Sequence, residues 1–211
     1  MPADRFQQTL WTILVLALVG VGAAYFVMDP KPRPVAAEPP PVIGSVKPFA
    51  LTNQLGVAVS EADLRGQVVV ADVIFSRCPT LCHRLSQLMA KLQAQIPAGV
   101  RLLSLSADPA FDTPAVLAKH GQRYGTNAAK WWFLTGTKAE VYQVATNSLL
   151  FAVMENPEPE PAKVEDLFIH SADFKIVDRL GRLRAVVYGE ETNAVERILS
   201  LVNQLQRERT P

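Results

Sequence analysis

Cys78 and Cys82 are the only two cysteines in the 211-residue chain, and they stand four apart, with Pro79 between them, in the stretch VVVADVIFSRCPTLCHRL at residues 68–85. An apolar, β-branched run ends at Phe75 just ahead of them. That puts the pair at the carboxyl end of a buried strand, where open α/β sheets place their sites. If the chain turns helical after Pro79, a residue suited to the first helical position, the two thiols share one face. Thiols held that way have two chemistries open to them: closing a disulfide, or gripping a soft metal ion. A single close pair is too little for a disulfide scaffold and reads as a redox or metal site. Buried free cysteines are otherwise plain small apolar groups. The position after a strand argues for a reactive pair, and the free N–H groups opening the next helix favour the thiolate.

The elements that position this pair can be followed along the chain. Residues 10–28, behind a flank of residues 1–9, are apolar apart from Thr12 and carry no charge. Nineteen residues at helical rise span about 28 Å, close to the hydrocarbon core of a bilayer. A cleavable signal would have a shorter apolar core and a small-residue cleavage site; Val35-Ala36-Ala37 is a weak one, so an uncleaved anchor is the reading. Arg5 on one side and Lys31 and Arg33 on the other leave its orientation poorly specified. Gly20 and Ala24, at small-xxx-small spacing, are read as chance. Residues 29–41 hold six prolines and form a semi-rigid tether. One domain, residues 42–211, follows.

Within that domain, residues 49–52 and 57–59 read as short strands around Asn53-Gln54-Leu55-Gly56, and Ser60 to Asp63 as a capped helical turn. Strand 68–75 leads into helix 80–95, with a stripe of Leu81, Leu85, Leu88, Met89 and Leu92 that Pro97 and Gly99 end. Strand 100–106 comes next. Asp112-Thr113-Pro114 then starts a helix, a capping residue followed by proline in the first turn, running to Tyr124. A brief strand spans 132–134, and Thr137 with Glu140 forms a capping box for a helix to Ser148. Residues 156–162 read as an exposed loop. Strands 174–178 and 183–187 form a hairpin around Arg179-Leu180-Gly181, and Asn193 with Glu196 caps a last helix to Arg207. Parallel crossovers closed by an antiparallel hairpin predict a thioredoxin-like α/β sandwich.

Four features together resemble the Sco/SenC family of membrane-anchored copper-binding proteins, over nearly the whole chain. They are FSRCPTLC; SLSADPAFDTPAVL at residues 104–117, near the family's S-x-D-P-x-x-D-T-P-x-x-L with a one-residue difference around Ala107; Trp132-Phe133-Leu134-Thr135-Gly136; and a histidine beginning a strand, Ile169-His170-Ser171, ahead of the hairpin. The resemblance implies a copper site of two thiolates and one imidazole at Cys78, Cys82 and His170, holding Cu(I) or Cu(II). It departs from the family in having His83 where proline often follows the second cysteine. It also has Ile169 where aspartate usually precedes the histidine; Asp166, Asp173 and Asp178 are candidates to compensate.

By the same resemblance the protein delivers copper to the copper subunit of a respiratory oxidase during assembly, working with other copper chaperones or thiol reductants. The rival reading is a thiol–disulfide reductase, with Cys78 and Cys82 as its redox pair, keeping partner cysteines reduced; copper-linked redox signalling is a weaker third. As a chaperone it needs no catalytic residue; only the reductase reading would make it an enzyme. The anchor, without an Arg- and Ser-rich transit sequence, places it on the bacterial inner membrane with its domain in the periplasm. A net charge of +1 with scattered signs speaks against nucleic acid. C-x-x-x-C-H is one residue longer than a covalent haem signature, so His83 reads as a solvated helix residue or a secondary copper contact. His120 reads as surface, Asp108 and Asp112 as turn and cap, and Trp131 and Trp132 as core or edge aromatics.

Overall fold

The computed structural model describes residues 3–28, 38–157 and 163–208. The chain divides into two compact units, Met1–Glu38 and Pro39–Pro211. The first is the helix α1 (Ala3–Met28). Its stretch Asp4–Tyr25 is long and apolar enough, by length and composition, to cross a bilayer. The Thr9 and Thr12 hydroxyls donate back to the Arg5 and Gln8 carbonyls at 2.8 and 2.9 Å, so neither leaves a polar group unpaired on the apolar surface. The expected tether falls largely, at residues 29–37, outside the described residues, as do residues 158–162 of the expected loop.

The second unit is built on one mixed sheet. Its strands are β1 (Gly44–Ser45), β2 (Ala50–Asn53), β3 (Ala58–Ser60), β4 (Val68–Ile74), β5 (Val100–Ser106), β6 (Trp131–Thr135), β9 (Asp173–Val177) and β10 (Arg182–Tyr188), in the spatial order β1-β10-β9-β4-β5-β6-β2-β3. A separate two-stranded ribbon joins β7 (Val153–Glu155) to β8 (Phe168–His170). β4, β5 and β6 run parallel, linked through α2 (Leu81–Gln95) and α3 (Pro114–Gln122), while β9 closes on β4 antiparallel. Every residue of β4 is buried, as a strand covered on both faces must be, which is why its sequence is an apolar run, broken only by Asp72, and not an alternation. Helix α2 packs on β4 and on α5 (Ala194–Arg207). This is the expected thioredoxin-like α/β architecture.

Local chemistry explains where the expected boundaries moved. Asp63 accepts from the Ser60 N–H and hydroxyl, both at 2.8 Å, and Glu140 from the Thr137 N–H at 2.9 Å, as the two capping boxes require. Helix α4 (Lys138–Tyr142) then widens into π-helical turns over Gln143–Ser148. Asp112 does not cap α3: Thr113 does, its hydroxyl accepting from the Val116 N–H at 3.3 Å, while Asp112 is drawn into the interior. Asn193 makes no side-chain cap bond to α5. In the β9–β10 hairpin Gly181 sits at φ 77°, a left-handed turn position that suits glycine. A bulge between Leu183 and Ala185 lets Leu183 and Arg184 both point inward. Buried Arg184 donates to Asp178 at 2.8 Å, to Glu208 at 2.7 and 2.9 Å and to the Pro40 carbonyl, fastening both ends of the unit to β10.

Candidate metal centre

The loop that carries the thiols begins where β4 ends. Phe75 is fully buried, Ser76 to Thr80 form the loop, and α2 starts at Leu81 with Cys82 in its first turn. Two ties hold the loop against the end of β5. Asp112 accepts from the Ser76 N–H and hydroxyl and from the Ser106 hydroxyl at 2.6 Å, and Arg77 pairs with Asp108 while lying over the Phe111 ring at 4.3 Å. Asp108 and Asp112, read from sequence as turn and cap, are therefore the fixings of the thiol loop. Burial pushes the Asp112 carboxyl up, against the pull of its Ser106 and Ser76 donors.

Cys78 and Cys82 are free thiols, 6% and 0% exposed. Their environments are unequal. Hydrogen bonding from the Cys82 thiol, then the N–H groups of Cys82 and Thr80 at the helix start, lowers the Cys78 thiol to about 5 against the resistance of burial. Cys82 is pushed up, first by its bond to Cys78 and then by burial, although the Phe75 N–H donates to its sulfur at 3.4 Å. Cys78 also lies 3.7 Å from the Thr80 hydroxyl.

His170 reaches the pair from the ribbon. It ends β8; the expected strand beginning at this histidine is not formed, because His170 pairs with Val153 and Ser171 still bonds to Ala152 across the ribbon, and the next strand starts only at Asp173. Its Nε2 lies 3.2 Å from the Cys82 sulfur, and its Nδ1 lies 3.0 Å from the Ser171 carbonyl. A carbonyl can only accept, so Nδ1 carries the proton and Nε2 keeps its lone pair toward Cys82. Phe75 meets the ring edge-on at 5.9 Å and packs on Phe168 at 5.1 Å. Burial holds the imidazole below its usual range, so the neutral ring is favoured. Among the described residues no three His, Cys, Asp or Glu side chains are gathered closely enough to form a ready metal cage. The arrangement is a Cys82–His170 contact with Cys78 beside it, not a closed coordination shell.

Of the three aspartates weighed against Ile169, Asp173 is the one whose charge acts on His170; it is buried and pairs with Lys175 at 3.0 Å. Asp178 is committed to Arg182 and Arg184, and Asp166 is exposed, its carbonyl accepting from Asn156. His83 is exposed on α2, bonded to the Tyr124 hydroxyl at 2.8 Å and to Gln87 at 2.9 Å. His120 is not on the surface: it is 2% exposed, packed on Tyr124 and Phe133, with Ser86 at 3.4 Å, and burial lowers it to about 4. α3 lies against β6, so a mid-helix position on its inner face is a core position. Trp131 is core, its indole N–H donating to the Ser104 hydroxyl at 3.0 Å, and Trp132 is an edge aromatic under Arg101 at 3.9 Å.

Sequence reasoning missed Asp72. It sits in the middle of β4, fully buried, with neither carboxylate oxygen hydrogen-bonded among the described residues. Its charge bears on Cys82. The signal was present as one acid inside VVVADVIF.

Comparison with known proteins follows the same outline. The SCO1/SenC family model matches residues 39–206. The SCO1 protein homolog of Bacillus subtilis is 34% identical over 164 residues, covering 76% of this chain and 82% of its own. The solved structure of BsSco, described as a member of the Sco family of cytochrome c oxidase assembly proteins with a disulfide switch, superposes with a TM-score of 0.69 at 31% identity, covering 82% of this chain and all of that one. A SCO1/SenC family lipoprotein from Bacillus anthracis gives a TM-score of 0.67 at 27% identity, over 77% of this chain and 95% of its own.

Proposed function

The chain belongs to the SCO1/SenC family, and from that membership and the contact between Cys82 and His170 we propose that it binds copper through Cys78, Cys82 and His170 and hands it to the copper subunit of a respiratory oxidase during assembly. The observation that carries this reading is the 3.2 Å approach of a neutral imidazole nitrogen to a thiol 88 positions away in sequence. Two soft sulfurs and one borderline nitrogen suit copper in either oxidation state. The Ser171 carbonyl orients the ring through Nδ1, as second-shell partners do for metal-bound histidines. Copper is cargo here. Cys78 is already disposed to the thiolate, Cys82 gives up its proton as the ion arrives, and a partner's thiolates replace the donors one at a time, so the ion is never released to water. Helix α1 anchors the chain in the bacterial inner membrane, with the second unit in the periplasm and thiol reductants or other chaperones supplying it.

A second reading rests on the inequality of the thiols. A low Cys78 and a raised Cys82 are the pattern of an attacking and a resolving cysteine. The Cys78 thiolate would open a partner's disulfide to form a mixed disulfide. Cys82, on losing its proton, would displace the partner, leaving Cys78–Cys82 oxidised and the partner's two thiols reduced. His170 has no part in that step. The deciding experiment is copper stoichiometry and absorption of the reduced protein. One copper per chain with a thiolate charge-transfer band, lost in Cys78→Ser and Cys82→Ser and weakened in His170→Ala, supports the chaperone. Stoichiometric copper retained by the double Ser variant sinks it, and insulin reduction untouched by His170→Ala with no bound copper establishes the reductase.

A further inference from the structure

The surface beside Cys78 carries cations along its whole length. A cleft of about 370 Å³ opens at the thiol, walled by Ser76, Arg77, Pro79, His83, Arg123 and Tyr124. It continues along α2 past Gln87 to Lys91, and in the other direction past Phe111 to Lys119. Arg123 lines all three stretches, and among the described residues none of them has a carboxylate in its wall. This is not a reflection of composition, because the chain carries 21 basic and 20 acidic residues. Two acids close to the thiol loop are spent: Asp108 is taken by Arg77, and Asp112 is buried under the Ser76 and Ser106 hydroxyls, while Glu165 and Asp166 follow Val164 at the far end of the Lys119 stretch. Lys91, Lys119 and Arg123 are exposed and have no ion-pair partner among the described residues. Phe111, 43% exposed beneath the Arg77 guanidinium, and Tyr124, held by His83, add the aromatic and Arg anchors that protein interfaces favour.

We infer that this groove is the docking face for a partner protein whose own thiol ligands sit in an acidic, carboxylate-rich surface. The inference rests on the reading that Cys78 is the donor at which cargo or disulfide is exchanged, and it names the charge of the exchange partner. Complementary charge at the mouth of an exchange site does two things. It raises the rate of encounter by roughly 10- to 1000-fold at low ionic strength, and it fixes the orientation in which the two thiol sites face each other. Arg77, held by Asp108 and Phe111, gives the orientation; the exposed heads of Lys91, Lys119 and Arg123 give the attraction.

The test uses the full chain in detergent and two synthetic peptides with the same Cys-x-x-x-Cys core, one flanked by four glutamates and one by four lysines. Copper transfer from the loaded protein is followed by loss of its charge-transfer band. In parallel, versions of both peptides with Ser for Cys are titrated onto the metal-free protein by fluorescence anisotropy. That second arm reports on the groove even if the protein holds no copper, so failure of the docking face and failure of the copper reading are separable. The acidic peptide should bind and exchange at least about tenfold faster than the basic one at low ionic strength, with the advantage fading by about 0.5 M salt. The triple variant Lys91→Glu/Lys119→Glu/Arg123→Glu should invert the preference, and the triple Gln variant, which keeps side-chain size, should abolish it. Equal behaviour of the two peptides overturns the inference. So does a stronger, charge-dependent affinity for anionic lipid vesicles than for the acidic peptide, which would assign the groove to the membrane surface.

Discussion

Replacing Asp72 by Asn should flatten the pH dependence of stability. Asp72 has no exposure and no well-formed hydrogen bond to either oxygen among the described residues, and burial, against a weaker pull from the Ser104 hydroxyl and its own backbone, raises its carboxyl from 3.8 to about 7. A carboxyl whose folded value is raised binds its proton more tightly in the native state, so its contribution to stability is full below the unfolded value and is lost as pH rises toward the folded one. A shift of that size corresponds to about 4 kcal/mol lost by pH 7, of which roughly 2 kcal/mol goes between pH 5 and 7. The assay is urea unfolding of reduced, metal-free protein in detergent at half-unit steps from pH 5 to 8, wild type against Asp72→Asn. The amide brings its own burial cost, which is independent of pH, so the quantity to read is the difference in slope. Wild type should lose stability relative to the variant as pH rises, levelling off above pH 7. Parallel curves would show that Asp72 is solvated or paired in solution and would remove it from the electrostatics of Cys82.

Alkylation by iodoacetamide should strike Cys78 first, at a rate independent of pH from 6 to 8 and falling with a midpoint near 5, with Cys82 protected in the native state; peptide mass mapping reads both. Copper uptake at pH 7 should release about one proton, from Cys82, because Cys78 is already ionised there, and its Kd should fall about tenfold per pH unit between 6 and 8; titration calorimetry in buffers of different ionisation enthalpy counts the proton, and none or two would contradict the asymmetry. Arg184→Ala leaves Asp178 with Arg182 and its backbone donors but deprives Glu208 and the Pro40 carbonyl of theirs, and should cost about 1–3 kcal/mol in urea unfolding.

The elements with strong local signals were legible. The apolar run of β4, the stripe of α2 and the Thr137–Glu140 box each specify their structure within a few residues, so the sheet core and the position of both cysteines could be read directly. What failed depends on contacts distant in sequence. Asp112 looks like a helix cap beside Thr113-Pro114, yet Ser76 and Ser106, 36 and 6 residues away, draw it inward. His120 looks exposed in a short polar helix until β6 is placed behind it. The ribbon of β7 and β8 has three residues per strand, too few for a period to show. His170 was reached only through family resemblance, since nothing local ties it to a thiol on another element.

That ribbon sets a clock. Cys78 and Cys82 ride on the best-buried strand and its helix, whereas His170 sits on two short strands whose backbones pair with each other. Side chains hold these strands to the body, chiefly the Phe75–Phe168 contact, buried Val153 and the Lys138–Glu155 ion pair. A two-stranded hairpin is marginal by itself and belongs to the part of a protein that opens most often. The lifetime of the imidazole contact is then governed by how frequently the ribbon lifts, while the sulfur contacts persist through many such openings. Substitutions at the Phe75–Phe168 seam should change how long cargo stays put without touching any donor atom, and amide exchange confined to residues 153–155 and 168–170 would report the timing.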